Sequence, residues 1–380
     1  MDLTVRKEDQ ILMSLVHYFV TKENYAPIYV HGVKDEIWLE KLDGPYRVIR
    51  INSNRIFNEE QFVFDQYKIK DILGQIKKKT MSMHINALNI NLNEDESVKE
   101  DSLKNIDNIS IKTIEDITDN KMLLEIFPNI KDNIIKDASG LELIFNVTKD
   151  INEKTNSDNQ RFEKIFAPKK IYMTYIIIAL CIFWTLVMGL IGGSFNDLNV
   201  IATFGATSKF LLRIGQVYRL ITYTFLHAGF VHLLCNMYSL YIVGSQIETK
   251  FGKIRFLLIY FISGICGGLL SAGFTNSLTL GASGAIFGVL GAMLYFGMRF
   301  RLYLKDSVTK RIIPVILINL AIGFMIPNID NACHIGGLIG GFLTAMALGI
   351  PENEKKSDTI NGIIMLTIYI LFLCYLVFFM

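Results

Sequence analysis

A serine, two histidines and an asparagine could do chemistry in this chain. Ser283 lies in Gly281-Ala282-Ser283-Gly284, His334 precedes a run of paired glycines, and His232 and Asn236 are four residues apart. A hydroxyl beside an imidazole suits nucleophilic attack on a carbonyl, because the ring takes the hydroxyl proton as the oxygen attacks. Attack leaves an oxyanion, which needs donors set in place beforehand. His232 and Asn236, at i and i+4, share a helix face and can aim two side-chain donors at that charge. The Ser283 backbone N–H, at a helix start, offers a third. Each feature alone has a plainer meaning: GASG as a packing motif, a helix-end His as a bonded interfacial residue, Asn236 as glue between helices. Their joint occurrence favours chemistry.

These residues must be positioned by the apolar half of the chain. Of 380 residues, 51% are hydrophobic and 19% charged, and the two classes are segregated along the sequence. Seven apolar segments follow residue 170, at about 171–193, 229–248, 254–274, 281–298, 312–326, 331–350 and 360–380. Most are long enough to cross about 30 Å of hydrocarbon as helices. Backbone groups in lipid must be bonded internally, which selects helix over irregular chain. The fifth segment is short and is expected to need local thinning or close packing. Gly284 and Gly288 in the fourth, and Gly336/Gly340 and Gly337/Gly341 in the sixth, recur every four residues and invite close backbone approach. Packing through those faces would bring Ser283 and His334 within reach.

Basic residues set the orientation. Arg161, Lys164, Lys169 and Lys170 precede the first segment. Lys250, Lys253 and Arg255 follow the second, Arg299, Arg301, Lys305, Lys310 and Arg311 the fourth, and Lys355 and Lys356 the sixth. All four clusters fall on one side if the N-terminus is cytoplasmic. The loop 194–228, with Lys209, Arg213 and Arg219, is the exception, and it is longer and expected to be structured. Segments two, four and six then run inward, and Ser283, His232 and His334 lie near their outer ends. Ionisable residues at that depth mark a functional site or a wet cavity.

The first 170 residues read differently. Residues 1–92 predict a small soluble α/β domain: a helix over 4–21, strand-like runs APIYVHG, EIWLEKL and YRVIRIN, a helix over 57–80, and MHINALNINL as a further strand. Residues 93–165 read as an acidic linker or weakly folded segment, since 92–118 is acidic, rich in Asn and poor in aromatics. Glu40-Lys41 faintly suggests a nuclease-type E-x-K, but its spacing is poor and a solvated strand edge is the plainer reading. The N-terminus has no apolar signal region, so this domain is expected in the cytosol. A net charge of +2 argues against nucleic-acid binding. The five cysteines all fall in the apolar half without metal-ligand spacing and read as packing residues.

With these residues in view, the chain resembles the rhomboid family of intramembrane proteases. GASGAIFG matches its GxSG motif, His232 through Asn236 its HxxxN pattern, and Ala332-Cys333-His334-Ile-Gly336-Gly337 its AHxGG, with Cys before the His. Tyr218-Arg219 stands where the family has Trp-Arg, and Gly244 through Gly252, with Glu248 between, looks like its GxxxExxxG. The motifs occur in family order over about 171–350. The N-terminal domain and seventh segment look like the Gram-positive branch. The resemblance implies a six-helix core plus one C-terminal helix (351–380), in a multi-pass protein of the cell membrane. It also implies a Ser283–His334 dyad without an acid, acting near the outer face on transmembrane segments of other proteins, with the lipid bilayer as its setting and no metal, nucleotide or other cofactor. Tyr218, Arg219, His227, Glu248, Gly281, Gly284, Gly336 and Gly337 read as structural, with His227 tying the first outer loop. Asp330, in PNIDN, reads as a turn former rather than a third catalytic residue.

Two other functions fit the composition. A transporter would suit seven helices broken by glycine, but no internal repeat is visible. A catalytically inactive relative that binds client membrane proteins would lack the Ser or the His, and both are present. HExxH is absent, and so are paired acids within the apolar segments, against metallo- and aspartyl proteases.

Overall fold

The structure is a computed structural model. It describes residues 6–380 except 31, 81–83, 96–97, 99–102, 136–139, 168, 301–306, 327–328 and 352–353. The chain forms two units, residues 1–160 and 161–380.

In the first unit a five-stranded sheet has the order β1 (Ala26–Ile28), β2 (Glu36–Glu40), β3 (Val48–Asn52), β4 (Ala87–Asn91), β5 (Ile106–Ser110). The first three strands pair antiparallel and the last three parallel. Parallel pairing of β3 and β4 needs a crossover, supplied by α2 (Glu59–Thr80). Side chains alternate across each strand. Ile49, Ile51, Leu88, Ile90 and Ile109 therefore join one apolar cluster with α1 (Lys7–His17) and the short helices α3 (Ile114–Asp119), α4 (Lys121–Ile126) and α5 (Ile130–Asn133). Val48 and Ala87 meet Ile69, Ile72 and Leu73 of α2. A final helix of this region, α6, covers Gly140–Phe166.

The α2 side of the sheet also holds a buried polar layer. Arg50, fully buried, has five acceptor oxygens within 3.0 Å, from Glu36, Asp65 and Asn89, to match its five N–H groups. Burial alone would raise the Glu36 carboxyl, but hydrogen bonds and charge from Arg50, with Lys68 and Trp38 beside it, hold it below the ordinary carboxylate range.

Two expectations are corrected here. Residues 93–165 do not form a linker where described: 106–110 is the fifth strand, and Ile117, Leu123, Phe127 and Ile130 are core residues. The Asn-rich composition misleads at Asn108, whose side chain is bonded to the neighbouring strand and to α2. Asn108 accepts from Asn89 at 2.9 Å and from Gln66 at 2.8 Å. Glu40 is not on a solvated edge either; it is buried against Arg47, at 3.1–3.2 Å.

The second unit is helical. α7 (Met173–Gly192) is followed by three short helices of the first loop, α8 (Leu198–Phe204), α9 (Lys209–Arg213) and α10 (Arg219–Thr222). Next, α11 (Phe230–Ser239) runs through a π-helical turn into α12 (Ser245–Phe251). The remaining helices are α13 (Lys253–Phe274), α14 (Ser283–Arg299), α15 (Ser307–Met325), α16 (Asn331–Leu348) and α17 (Lys356–Phe378). Each apolar segment of the sequence is thus helical. Among the described residues four helices are long and apolar enough to cross a membrane. A fifth span is formed if Arg219–Phe225 and Phe230–Phe251, bent by 99°, count together. This is a multi-pass membrane protein. The short fifth segment lies in a 19-residue helix, α15, which begins at Ser307 ahead of the apolar run and is not one of the four helices long and apolar enough to cross.

α16 lies between α13 and α14, and glycine is what lets it. A Cβ on Gly337 would run into the Gly284 carbonyl oxygen of α14, and one on Gly341 into that of Gly288. The other stripe turns to α13: a Cβ on Gly336 would stand 2.8 Å from the Cys266 carbonyl. Only one of the two glycine stripes therefore serves the α14 contact. Cys181, Cys266 and Cys333 are buried and Cys374 half-buried, whereas Cys235 is exposed on the outer side of α11 beside exposed Leu234 and so is not a packing residue.

Candidate active site

Ser283 is the first residue of α14 and His334 the fourth of α16. The close α14–α16 contact sets their separation: His334 Nε2 lies 2.9 Å from Ser283 Oγ. Ser283 is half-buried and His334 buried. At this distance the hydroxyl donates to Nε2 when the neutral ring carries its proton on Nδ1. Among the described residues Nδ1 has no hydrogen-bond partner.

The turn before Ser283 is held from the first loop. Gly281 has φ +123°, which a side chain rarely adopts. Its N–H donates to the Tyr223 carbonyl at 2.9 Å, and the next N–H, of Ala282, donates to His227 Nε2 at 3.3 Å. Accepting at Nε2 places the His227 proton on Nδ1, which faces Thr185 Oγ1 at 3.3 Å. His227, fully buried, therefore ties the first loop both to α7 and to the serine turn.

His232 carries the opposite tautomer. Its Nδ1 accepts the Ala228 N–H at 3.3 Å, so the neutral ring has its proton on Nε2. That atom faces the turn: a Cβ built on Gly281 would stand 2.9 Å from it and 3.9 Å from Ser283 Oγ. Glycine at 281 thus leaves room for an N–H donor beside the serine. Asn236 is buried one turn further along the same face, where its amide donates to the His232 carbonyl at 2.9 Å. No described bond joins it to Ser283, and one of its two N–H groups is left over. The first backbone N–H groups of α14, that of Ser283 included, have no acceptor within the helix.

The other predicted residues lie around this centre. Arg219 donates to the carbonyls of Ala202 at 2.6 Å and Ala206 at 2.8 Å, fastening the first loop, with the exposed Tyr218 ring beside it. Fully buried Glu248 accepts the N–H groups of Tyr172, Met173 and Thr174, each at 2.8 Å, and so caps α7 from a distance. Gly284, Gly336 and Gly337 are the close-approach positions of α13, α14 and α16 described above.

Sequence reasoning missed two residues. Phe287, one turn beyond Ser283, stacks on the His334 imidazole with centroids 4.2 Å apart and planes within 10°. Its i+4 spacing from Ser283 was visible, but nothing in the spacing said that the ring of another helix would lie on it. Asp330 is more than a turn former: it caps α16 by accepting the Cys333 N–H at 2.9 Å, and it also accepts from two hydroxyls of other segments. Among the described residues no cluster of His, Cys, Asp and Glu forms a metal site.

The Rhomboid domain family matches residues 214–351. The rhomboid protease GluP of Bacillus subtilis is 32% identical over 333 residues, 84% of this chain and 66% of that one. RHOMBOID-like protein 5 of Arabidopsis thaliana is 40% identical over 150 residues, 38% of this chain and 48% of its own. Rhomboid-like protease 1 of Toxoplasma gondii is 36% identical over 167 residues, 41% of this chain and 56% of its own. The chain thus spans 48–66% of the length of these relatives.

Proposed function

Because this chain belongs to the rhomboid family, we propose that it is an intramembrane serine endopeptidase that cuts transmembrane segments of other membrane proteins with Ser283 and His334. The observation behind this reading is the 2.9 Å contact between Ser283 Oγ and His334 Nε2 at the start of two tightly packed membrane helices.

In the reaction, Ser283 Oγ attacks a peptide carbonyl carbon as its proton passes to His334 Nε2. The carbonyl oxygen takes the negative charge. Donors at that point are the Ser283 N–H, the His232 Nε2–H and, after its amide turns from the His232 carbonyl, Asn236. When the C–N bond breaks, His334 returns the proton to the leaving nitrogen and an acyl-enzyme remains. Water, deprotonated by His334, then releases the new carboxylate and restores the Ser283 hydroxyl. The imidazolium formed midway has no carboxylate on Nδ1 among the described residues; the Phe287 face offers it a cation–π contact instead.

The basic residues of alternate loops support a cytoplasmic N-terminus, which puts Ser283 and His334 near the outer face. The test is cleavage of a model single-span substrate by the purified protein in liposomes. Ser283→Ala is expected to abolish cleavage and fluorophosphonate labelling with folding retained. A folded Ser283→Ala protein that still cuts removes the proposal, and a wild-type protein that neither cuts nor labels favours an inactive client-binding relative.

A further inference from the structure

Resting on that reading, we propose that Asp330 is a positioning residue that clamps the His334 helix to the turn carrying Ser283. Three segments meet at its carboxylate. Oδ1 accepts the Cys333 N–H at 2.9 Å, at the start of α16. Oδ2 accepts the hydroxyl of Ser271, near the end of α13, at 2.5 Å and that of Thr279 at 2.9 Å. Thr279 stands four residues before Ser283, and Asp330 four residues before His334. One carboxylate therefore holds the approach to the nucleophile and the approach to the base.

Thr279 extends the clamp to the first loop. Its N–H donates to the Thr207 carbonyl at 2.8 Å, and its carbonyl accepts the Thr207 N–H at 3.0 Å. Ser271 and Thr279 are both buried and their hydroxyl oxygens are 2.6 Å apart. Two hydroxyl protons are shared among three contacts, and in each arrangement the carboxylate is the terminal acceptor. Hydrogen bonds to an ionised acceptor are about twice as strong as neutral ones.

The same geometry separates this role from that of a catalytic acid. A triad carboxylate binds Nδ1 of the base and steadies the imidazolium. Here both Asp330 oxygens are taken by other groups, and His334 Nδ1 has no partner among the described residues. Asp330 acts through backbone placement. A shift of 1 Å between reacting groups costs about 10²-fold in rate.

The test measures kcat and KM for a single-span substrate in liposomes, and the rate of fluorophosphonate labelling of Ser283, in the full-length protein. Asp330→Ala is expected to lower kcat and labelling together by about 10²-fold, with KM nearly unchanged. Asp330→Asn keeps an oxygen for the Cys333 N–H and puts an NH2 group at the Oδ2 place, where it can donate to a hydroxyl that turns to accept, so it should recover much of that loss. Thr279→Val, a milder change, should lower kcat several-fold and add nothing in the Asp330→Ala background. An active wild-type protein whose Asp330→Ala variant keeps its kcat overturns the proposal. So does equal damage from Ala and Asn, which points to charge rather than clamping, and so does strict additivity with Thr279→Val. A folded wild-type protein that neither cleaves nor labels removes the Ser283–His334 reading and this proposal with it.

Discussion

Arg50 and His334 are both buried polar groups, one in each unit, and their surroundings differ in one respect. Arg50 meets five acceptor oxygens with five N–H groups, so nothing on it is available to a second molecule. His334 has one ring nitrogen on Ser283 and the other without a partner among the described residues. A saturated network can only hold its own fold, whereas an imidazole with a half-buried hydroxyl beside it has a proton to move. Burying polar groups costs free energy in both places. In the first unit the return is a sheet and helix locked in register, and in the second, on the reading proposed above, it is a proton that can move.

The comparison breaks most sharply at Ser283 and His334. His334→Ala should lower cleavage by about 10⁴-fold or more, as loss of a triad base does, and leave the thermal unfolding of the protein nearly unchanged. Arg50→Met should do the reverse. It leaves the buried Glu36 carboxylate with Lys68 alone and the half-buried Asp65 without its cation, at a cost of about 3–5 kcal/mol. Hydrogen exchange of the β2, β3 and α2 amides in the intact protein should rise by about 10²-fold or more. Unchanged protection there would mean that water enters the polar layer and the network is not saturated in solution.

Much of the second unit was legible in the sequence because its constraints are local. A run of 18 or more apolar residues, a glycine every fourth position and a basic loop all sit within a few turns of one another. The contact between α14 and α16 could be inferred because Gly284/Gly288 and Gly337/Gly341 are complementary stripes. The partners of Asp330 were not legible, since Ser271 and Thr279 are 59 and 51 residues away. In the first unit the polar residues of β5 read as solvated chain. The partners of Asn108, namely Asn89 and Gln66, come from another strand and from α2, and no rule of composition pairs them.

Asn236 tests a finer point of the same comparison, whether its amide is saturated or available. It now donates to the His232 carbonyl, as a merely packed Asn in a helix would. If it turns to the oxyanion, Asn236→Ala should lower kcat by about 10²-fold with a small change in KM. If it only bonds its own helix, kcat will stay at the wild-type value and the thermal midpoint will fall slightly.

The smallest expected effect belongs to Phe287. Its ring lies flat on His334 and has no hydrogen-bonding group of its own, so it can act only by steadying the imidazole and its charged form. Aromatic stacking of this kind is worth about 0.5–1.5 kcal/mol, or roughly 2- to 13-fold in rate. Phe287→Leu keeps an apolar side chain of similar bulk and removes the π face. Its kcat should fall within that range while KM holds, and Phe287→Tyr should keep most of the rate. Equal rates for Phe and Leu would show that the orphan Nδ1 is stabilised from elsewhere. The contrast between a saturated and an open polar group would then need a partner for His334 beyond its own neighbours.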